Sequence, residues 1–541
     1  MGRVLAIYLD GYDHALGQRL MAAGDMPQMT RLAASSARYL LDYESAAQRT
    51  GLAGEHVTTG LAPHVTQRWS AVHFDPRSYA VWQEGGPLRP FAADLTCRTV
   101  VLDMPHFDLS AAPRASGVVG WGAHDPGVAP EARPAALFAE FQARFGAYPA
   151  MPWTYGFAWP SVEKCSAMGS TLACALDLRA DATHWLLAER LPDWDLAIIN
   201  VSEPHSAIEG LWHGVDPTHP LHHLPGAAGA GAGLRAVYHA VDRLVGRLSA
   251  AFPDAATVVF SMGGMGPNRA DVQSMLLLPE LLYRQTFGSA FFQQPRAWAA
   301  CGSGSPVMLS DDDGWEARIA EGFPKPPTSR DALLHRLAAR ILPRPVKKLI
   351  RRTEAAIRAR DAGPETISLD WMPAATYQPH WPSMPAFALP AFHDGRIRLN
   401  LVGRESRGMV PPENYRQTLD RLEELVRACI DPATGGSVVA HVERTAPADP
   451  RAATATQADL AILWSGGATC FEHPSLGRIG PAPYRRTGGH TGPHGVAYIH
   501  TGSGAVGDQG VRSAFDVVPT IIDLAGEPRL PQISGKSLLS T

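Results

Sequence analysis

Short apolar segments recur along the chain, and each ends at polar residues. Runs of this length, separated by helix-length stretches, are typical of buried strands in a largely parallel sheet with helices on both faces. Ligands of such sheets bind beyond the carboxyl ends of the strands, so the polar residues after these runs are expected at one edge. The segments are residues 3–9, 99–102, 196–201, 257–260 and 496–499.

Two long segments have apolar residues at helical spacing. Residues 234–252 and 412–430 are predicted as helices, and a proline-containing turn follows each of them. The small-residue run at 226–233 (GAAGAGAG) is interpreted as a flexible connector. The basic stretch at 346–360 is predicted as an amphipathic helix that is either solvated or in contact with a membrane surface or a partner.

The chain of 541 residues is too long for one simple core. Residues 1–270 and 455–541 are predicted to form one α/β core with a mostly parallel central sheet flanked by helices. Residues 271–454 are predicted to form an inserted α+β subdomain, a cap or accessory region with strand-like runs at 396–402 and 438–442.

The composition is that of a globular protein, with 45% hydrophobic and 18% charged residues. A net charge of −4 provides no basic excess for binding nucleic acid or an anionic membrane. No segment approaches the roughly 20 apolar residues of a membrane span, and the first apolar run is too short for a secretory signal. The six cysteines are scattered without a CxxC pair, which argues against a disulfide framework and a thiolate zinc site. We therefore expect a cytoplasmic protein.

Thr50 is a candidate nucleophile because of its local sequence, RTGLAGEHVTTG. A hydroxyl at a helix N-terminus lies in positive potential beside free N–H groups, an arrangement that receives a phosphate and favours the alkoxide. The alternative is that Thr50 only caps the helix, as threonine often does.

A cluster of acidic and imidazole side chains follows the apolar run at 196–201. In the segment EPHSAIEGLWH, His205, Glu209 and His213 share one face if the segment is helical. Two imidazoles and a carboxylate suit zinc, manganese or iron. The alternative is that the histidines bond the backbone in a loop while Glu209 faces water. Three further histidines, in the proline-rich loop that follows, are expected at the surface: His219, His222 and His223.

Together these motifs resemble the type I phosphodiesterase and nucleotide pyrophosphatase branch of the alkaline phosphatase superfamily, and within it the phosphohydrolase/phosphomutase group. The matching strings are YLDGYD, RTGLAGEHVTTG, EPHSAIE, RRTGGHTGPHG and the closing FDVVPTIIDLAGEP. The resemblance implies an alkaline phosphatase-like α/β fold. It also implies Thr50 as the nucleophile, from its spacing to a Thr-Gly pair. The metal ligands that it implies are Asp10, His205, Glu209 and His490, with acid and imidazole exchanged at 205 and 209 relative to the family.

Charged residues beside these motifs extend the candidate site. Arg485 and Arg486 precede His490 and are suited to substrate oxyanions, with surface exposure as the alternative. Arg404 lies in RIRLNLVGRESRGMV, a string that also resembles the phosphohydrolase/phosphomutase group; it either reaches substrate or forms an ion pair within the insertion. Further candidates for the metal centre are Glu203, His213 and His494.

One motif departs from the family pattern. The family has Ser-Asp-His-Gly-Met where this chain has Ser261-Met262-Gly263-Gly264-Met265, so the Asp and His that bind a second metal ion are replaced. Neither Met262 nor Gly263 is a good ligand for a hard divalent ion. We therefore expect one divalent ion, zinc or manganese, and a degenerate second metal site.

The predicted activity is metal-dependent hydrolysis of a phosphate ester, of the phosphodiesterase or pyrophosphatase type, through a phosphothreonine at Thr50. A small-molecule phosphate ester or similar anion is the expected substrate. Two alternatives stay open: a pseudoenzyme that binds a ligand or an active partner, and a transferase that uses the same threonine. Homo-oligomerisation is also left open.

Overall fold

The structure is a computed structural model that describes residues 2–45, 48–49, 51–299, 306–324 and 366–539. The predicted nucleophile Thr50 and the basic stretch at 346–360 lie outside the described residues. Within the described ranges, no helix has both the length and the apolarity to cross a bilayer.

The strands of the described residues, in chain order, are β1 (Val4–Leu9), β2 (Ala37–Asp42), β3 (Val72–Phe74), β4 (Val81–Glu84), β5 (Thr99–Leu102), β6 (Ala115–Val119), β7 (Glu131–Arg133), β8 (Leu196–Val201), β9 (Ala256–Ser261), β10 (Gly264–Pro267), β11 (Thr366–Ser368), β12 (Ala386–Leu389), β13 (Gly395–Leu399), β14 (Val439–Arg444), β15 (Leu460–Trp464), β16 (Phe471–His473), β17 (Gly477–Ile479), β18 (Gly488–Gly492), β19 (Gly495–His500) and β20 (Gly507–Ser513).

The α-helices within the same described ranges are α1 (His14–Ala22), α2 (Pro27–Ala34), α3 (Ala53–Thr59), α4 (Pro63–Thr66), α5 (Ala136–Phe145), α6 (Val162–Trp185), α7 (Glu203–Leu211), α8 (Gly226–Ala251), α9 (Leu278–Phe287), α10 (Arg296–Ala299), α11 (Trp315–Ala320), α12 (Tyr415–Arg427) and α13 (Val517–Leu524). A π-helical turn, Leu186–Arg190, continues α6, and a second one, Gln273–Leu277, precedes α9.

A nine-stranded sheet forms the centre of the molecule, in the order β20-β2-β19-β9-β1-β8-β5-β6-β7. β1 pairs in parallel with both β8 and β9, while β19 and β7 run antiparallel to their neighbours. The five predicted apolar segments all lie in this sheet as β1, β5, β8, β9 and β19. The predicted α/β class with a mostly parallel sheet is therefore confirmed.

Helices cover both faces of the central sheet. Side chains of β1 alternate between two hydrophobic cores, with Leu5 and Ile7 in the core beneath α6 and α8, and Val4 and Ala6 in the core beneath α13. This alternation follows from the two-residue repeat of a strand. A strand buried on both faces must be apolar throughout, which is why its sequence reads as a continuous run.

The interpretation of residues 226–233 as a flexible connector is wrong. These residues begin helix α8, which packs along α6. A side chain at Gly169 of α6 would collide with the backbone of Gly233. Glycine at this crossing lets the two helices approach closely, so the small residues serve packing and not flexibility.

A second sheet, β12-β13-β15-β14, is antiparallel and has its own hydrophobic core. The predicted strands at 396–402 and 438–442 correspond to β13 and β14. β15, which follows residue 454, also belongs to this sheet, and the domain boundaries stay a prediction. Arg404 bonds Asp459 at 2.7 Å and Glu405 at 2.9 Å, so it forms the ion pair within this region.

Candidate metal centre

The candidate centre lies where β1 and β8 end. These strands pair in parallel with Leu9 opposite Val201, so Asp10 and the start of α7 leave the sheet side by side. Gly11 has a φ of +64°, and a side chain there would lie 2.6 Å from the Cα atom of His205. Only glycine permits this close approach of the two segments.

His205 links the residues that were predicted as metal ligands. Its Nδ1 lies 3.0 Å from Asp10 Oδ2, and its Nε2 lies 3.4 Å from Glu209 Oε1 and 3.0 Å from His490 Nε2. His490 is carried by β18, which pairs with β10. The structure therefore brings Asp10, His205, Glu209 and His490 together from three distant parts of the chain.

Buried charge controls the ionisation of this cluster. Burial alone would lower the pKa of His205, but the carboxylates of Asp10 and Glu209 outweigh it and raise that pKa to about 10. Burial would raise the pKa of Glu209, yet the Arg486 guanidinium and neighbouring imidazoles hold it well below its ordinary value. Burial, followed by the imidazoles of His393 and His205, lowers the pKa of His490. In the absence of an ion, the cluster therefore contains two carboxylates beside one cationic imidazole.

Two histidines that sequence reasoning missed join this cluster. The His124 ring stacks on His205 at 3.8 Å and 15°, and the His393 ring meets His490 edge-on at 4.4 Å. His124 follows β6, whose short apolar run before GWGAHD was the available signal. His393 comes from the loop between β12 and β13 of the second sheet, and no local sequence pattern marks its approach.

The donor set fits a divalent cation. His124, His205 and Glu209 each offer one ligand atom, and these atoms lie within 4.8 Å of one another. His490 adds a further imidazole nitrogen at 3.0 Å from His205. Imidazole nitrogen with one carboxylate oxygen is the chemistry of zinc and related transition-metal sites.

Arg485 and Arg486 are largely buried and not at the surface. Arg485 bonds Asp271 at 3.0 Å, and its guanidinium lies 5.0 Å from the ring of Trp371. Arg486 bonds Glu209 directly. The Nε atoms of both arginines are buried and have no hydrogen-bond partner within the described part of the chain.

The three additional candidates lie apart from the cluster. Glu203 bonds Arg179 at 2.9 Å in a fully buried ion pair that also includes Asp103. α7 ends at Leu211, so His213 does not continue the face of His205 and Glu209. Among the described residues, no hydrogen bond, ion pair or ring contact joins His213 or His494 to His205.

The predicted surface position is wrong for His219, which is buried, whereas His223 is exposed. His219 Nδ1 accepts the N–H of Leu221 at 3.1 Å. The loop folds back on itself and against Tyr484, whose ring lies 5.7 Å from that of His219. A proline-rich composition therefore did not predict exposure.

The side of Asp10 that faces the end of β9 has few side chains that could bind a metal ion. Tyr8 donates a hydrogen bond to Asp10 Oδ1 at 3.0 Å. Met262 is buried in the apolar core, and a side chain placed at Gly263 would meet the Tyr43 ring at 3.3 Å. Met262 and Gly263 thus contribute no nitrogen or oxygen side-chain ligand at the positions where the family pattern has Asp and His.

Two cavities, of about 240 and 360 Å³, border the cluster and share Asp10, His393 and His490 in their walls. Gly51 and Leu52, the residues after Thr50, also line both. The remaining walls differ in character. The smaller cavity is lined in part by Tyr43, Arg49, Arg269 and Trp464. The larger is lined in part by His124, Tyr155, Phe157, Trp371, Arg485 and Arg486.

Comparison with protein-family models and with curated protein sequences finds no match for this chain. Solved structures do match it over nearly its whole length. Alkaline phosphatase PafA has a TM-score of 0.50 and 10% identity, with 99% of each chain covered. Phosphonoacetate hydrolase from Sinorhizobium meliloti, in complex with phosphonoformate, has a TM-score of 0.45 and 13% identity, covering 97% of this chain and 96% of that one. Murine ectonucleotide pyrophosphatase/phosphodiesterase 5, in complex with AMP, has a TM-score of 0.44 and 11% identity, covering 98% and 96%.

At this identity the likeness shows the fold alone. The chain has an alkaline phosphatase-like fold, as the resemblance of the motifs predicted. Fold does not define chemistry, so the activity has to be argued from the residues of the site.

Proposed function

We propose that this protein is a metal-dependent hydrolase of phosphate esters, of the phosphodiesterase or pyrophosphatase type. The observation that carries the proposal is the convergence of Asp10, His205, Glu209 and His490 at the ends of β1 and β8, between two cavities. A buried cluster of titratable groups in a cleft at the carboxyl ends of parallel strands is the usual location of chemistry in such sheets.

A divalent ion, zinc or manganese, would be held by residues of this cluster. The resemblance implies Asp10, His205, Glu209 and His490 as its ligands. When bound, the ion supplies Lewis-acid stabilisation of the charge that develops on the phosphoryl oxygens. A single ion is proposed, because Met262 and Gly263 replace the two side chains that would complete a second site.

Thr50 is the proposed nucleophile. The proposal is supported by the residues that follow it in sequence: Gly51 and Leu52 line both cavities, and α3 begins at Ala53. Attack by the threonine oxygen would form a bond to phosphorus while the ester bond to the leaving alcohol breaks. Water would then hydrolyse the phosphothreonine and regenerate the hydroxyl.

The two arginines would orient the substrate. Arg485 and Arg486 line the larger cavity, and guanidinium groups are suited to donate to phosphoryl oxygens. Two cavities have Asp10 and His490 in their walls, and this favours an ester with two organic groups on phosphorus, which is a diester and not a monoester.

Substitution of the nucleophile tests this proposal. Thr50→Ala is expected to abolish turnover of an aryl phosphate diester, and acid-quenched wild-type protein is expected to contain phosphothreonine at position 50 by mass spectrometry. Thr434→Ala, in an exposed loop, is the matched control and is expected to turn over normally. Full activity of Thr50→Ala would reject the mechanism.

One observation favours the alternative of a pseudoenzyme that binds a ligand. Arg486 already supplies a positive charge at Glu209, where a metal ion would otherwise balance the carboxylate. Elemental analysis separates the two: purified protein without transition metal, together with no hydrolysis of aryl phosphate diesters, would favour the pseudoenzyme. A transferase would instead give products that depend on an added alcohol acceptor.

A further inference from the structure

We infer that the metal site consists of three imidazoles and one carboxylate, from His124, His205, His490 and Glu209, and that Asp10 orients His205 without binding the ion. The inference rests on the metal dependence of the proposed function. It adds a ligand, His124, that the motif resemblance does not supply, and it removes one that the resemblance implies.

The role of Asp10 follows from the hydrogen bond between Asp10 Oδ2 and His205 Nδ1, 3.0 Å long. An ionised carboxylate can only accept, so Nδ1 of His205 carries the hydrogen. The other oxygen of Asp10 accepts from Tyr8 at 3.0 Å. Asp10 thus lies on the Nδ1 side of His205, away from Nε2. Nε2 faces Glu209 and His490 and is the nitrogen available to a metal. A carboxylate behind a ligating imidazole is the usual outer-shell arrangement at metal sites.

The role of His124 follows from the hydrogen bonds of Ser206. Its hydroxyl donates to the carbonyl of Thr154 at 2.6 Å, so its oxygen can only accept from His124 Nδ1 at 3.2 Å. Nδ1 of His124 thus carries the hydrogen, and Nε2 holds the free electron pair. This Nε2 lies 3.9 Å from Glu209 Oε1, the same oxygen that lies 3.4 Å from His205 Nε2.

Three of the donor atoms, from His124, His205 and Glu209, lie within 4.8 Å of one another, and the fourth, from His490, lies 3.0 Å from the one on His205. His490 Nε2 and His205 Nε2 face each other at 3.0 Å, so at most one of them can carry a hydrogen in that contact. His124 is only 3% exposed and Glu209 is fully buried. Buried imidazole nitrogens normally find a partner, whereas the free electron pair of His124 Nε2 faces Glu209 Oε1, which is also an acceptor, at 3.9 Å. A cation would satisfy them together.

Arg486 also bonds Glu209 Oε1, but a carboxylate oxygen has two lone pairs and can accept this bond while it ligates. The positive charge of the Arg486 guanidinium repels a bound cation, so it disfavours ions of higher charge at this site. A set of three nitrogens and one oxygen favours zinc and its neighbours over magnesium, calcium and manganese, which prefer oxygen ligands.

Cobalt(II) titration of the chelator-stripped full-length protein tests this ligand set, because the visible absorption of the ion reports its coordination without any need for turnover. Wild-type protein is expected to bind one equivalent. Outer-shell changes typically cost ~10–100-fold in affinity. His124→Ala is therefore expected to lose roughly 100-fold or more and to change the spectrum, whereas Asp10→Asn loses about 10-fold and keeps its band shape.

His124→Asn provides a second variant that can still donate to Ser206 but offers no ligating imidazole, in case the alanine variant is unstable. His219→Ala removes an equally buried imidazole outside the cluster and is expected to bind cobalt like the wild type. Circular dichroism verifies that each variant is folded.

Wild-type affinity and spectrum in both His124 variants would overturn the inference for His124. Loss of binding in Asp10→Asn as complete as in His205→Ala would overturn the inference for Asp10. Either result leaves the proposed hydrolase intact if wild-type protein hydrolyses the diester. Conversely, normal cobalt binding that depends on His124, without hydrolysis, would reject the proposed function and retain the ligand set. Failure of the wild type to bind cobalt or zinc would overturn the inference outright.

Discussion

The two sides of Asp10 present different chemistry. On one side, Oδ2 accepts a hydrogen bond from His205, and imidazoles and Glu209 lie beyond it. On the other side, Oδ1 accepts from Tyr8, and Met262 and Gly263 provide no ligand. The strands on either side of these two residues are nevertheless paired, β9 with β1 and β10 with β18. The strands beside Asp10 thus form although one side has no ligand at these two positions, while the other side has several nitrogen and oxygen side chains.

The largest effect is expected on the imidazole side. His205 contacts Asp10, Glu209 and His490, so His205→Ala should remove a ligand and leave its partners unpaired. We expect zinc affinity to fall by more than about 100-fold, since even outer-shell changes cost ~10–100-fold, with a parallel fall in kcat/KM. Isothermal titration with zinc and a diester assay measure both. Retention of zinc affinity within a fewfold of wild type would place the metal elsewhere.

Metal-binding side chains can be introduced on the side of Asp10 where Met262 and Gly263 lie. Met262→Asp combined with Gly263→His introduces the two side chains that the resembling family has at these positions. Burying two polar groups without partners should lower the free energy of unfolding by about 2–4 kcal/mol, measured by urea denaturation of the metal-free variant. Zinc should recover this loss and bind as a second equivalent. Met262→Leu is the control for altered packing. A double variant that binds no additional zinc would show that two ligands at positions 262 and 263 are not enough to form a second metal site.

A buried histidine near Tyr43 should make the stability of the protein depend on pH. His56, whose ring lies 6.4 Å from that of Tyr43, is buried, and burial lowers its pKa to about 4. Between pH 6.5 and 4 the unfolded chain binds a proton that the folded protein does not, so stability falls as the pH falls through this window, by up to about 1.4 kcal/mol per pH unit for this group. Urea denaturation at several pH values measures the slope. His56→Asn should reduce the slope, and an unchanged slope would assign the acid sensitivity to other groups.

The smallest effect is expected from Tyr8→Phe. This change removes one hydrogen bond to Asp10 Oδ1 and keeps the ring, which stacks on Phe260 at 5.3 Å. A loss of about 1 kcal/mol in stability is expected from one net hydrogen bond, with zinc affinity within severalfold of wild type. Thermal unfolding and zinc titration measure the two quantities. A loss of zinc affinity comparable to that of His205→Ala would mean that both sides of Asp10 serve the metal.

The sequence predicted the features that depend on local pattern. β1 and β8 read as strands because residues buried on both faces must be apolar, and the rule for strand ends placed Asp10 and His205 at one edge. The run at 226–233 was misinterpreted because composition contains no information about the partner helix. Glycine occurs at 233 because the backbone there packs closely against Gly169 of α6. His393 could not be found, since it reaches the centre only through the docking of the second sheet. Thr50 stays a prediction.

The position of His393 has a consequence for how the centre is maintained. This residue belongs to the hairpin of the second sheet, yet it contacts His490 and closely approaches Gly51, beside the predicted nucleophile. One wall of both cavities is therefore contributed by a hydrophobic core other than the one that supports β1 and β8. Partial melting of the second core is therefore expected to withdraw His393 from His490 and from both cavities before the main sheet is disturbed.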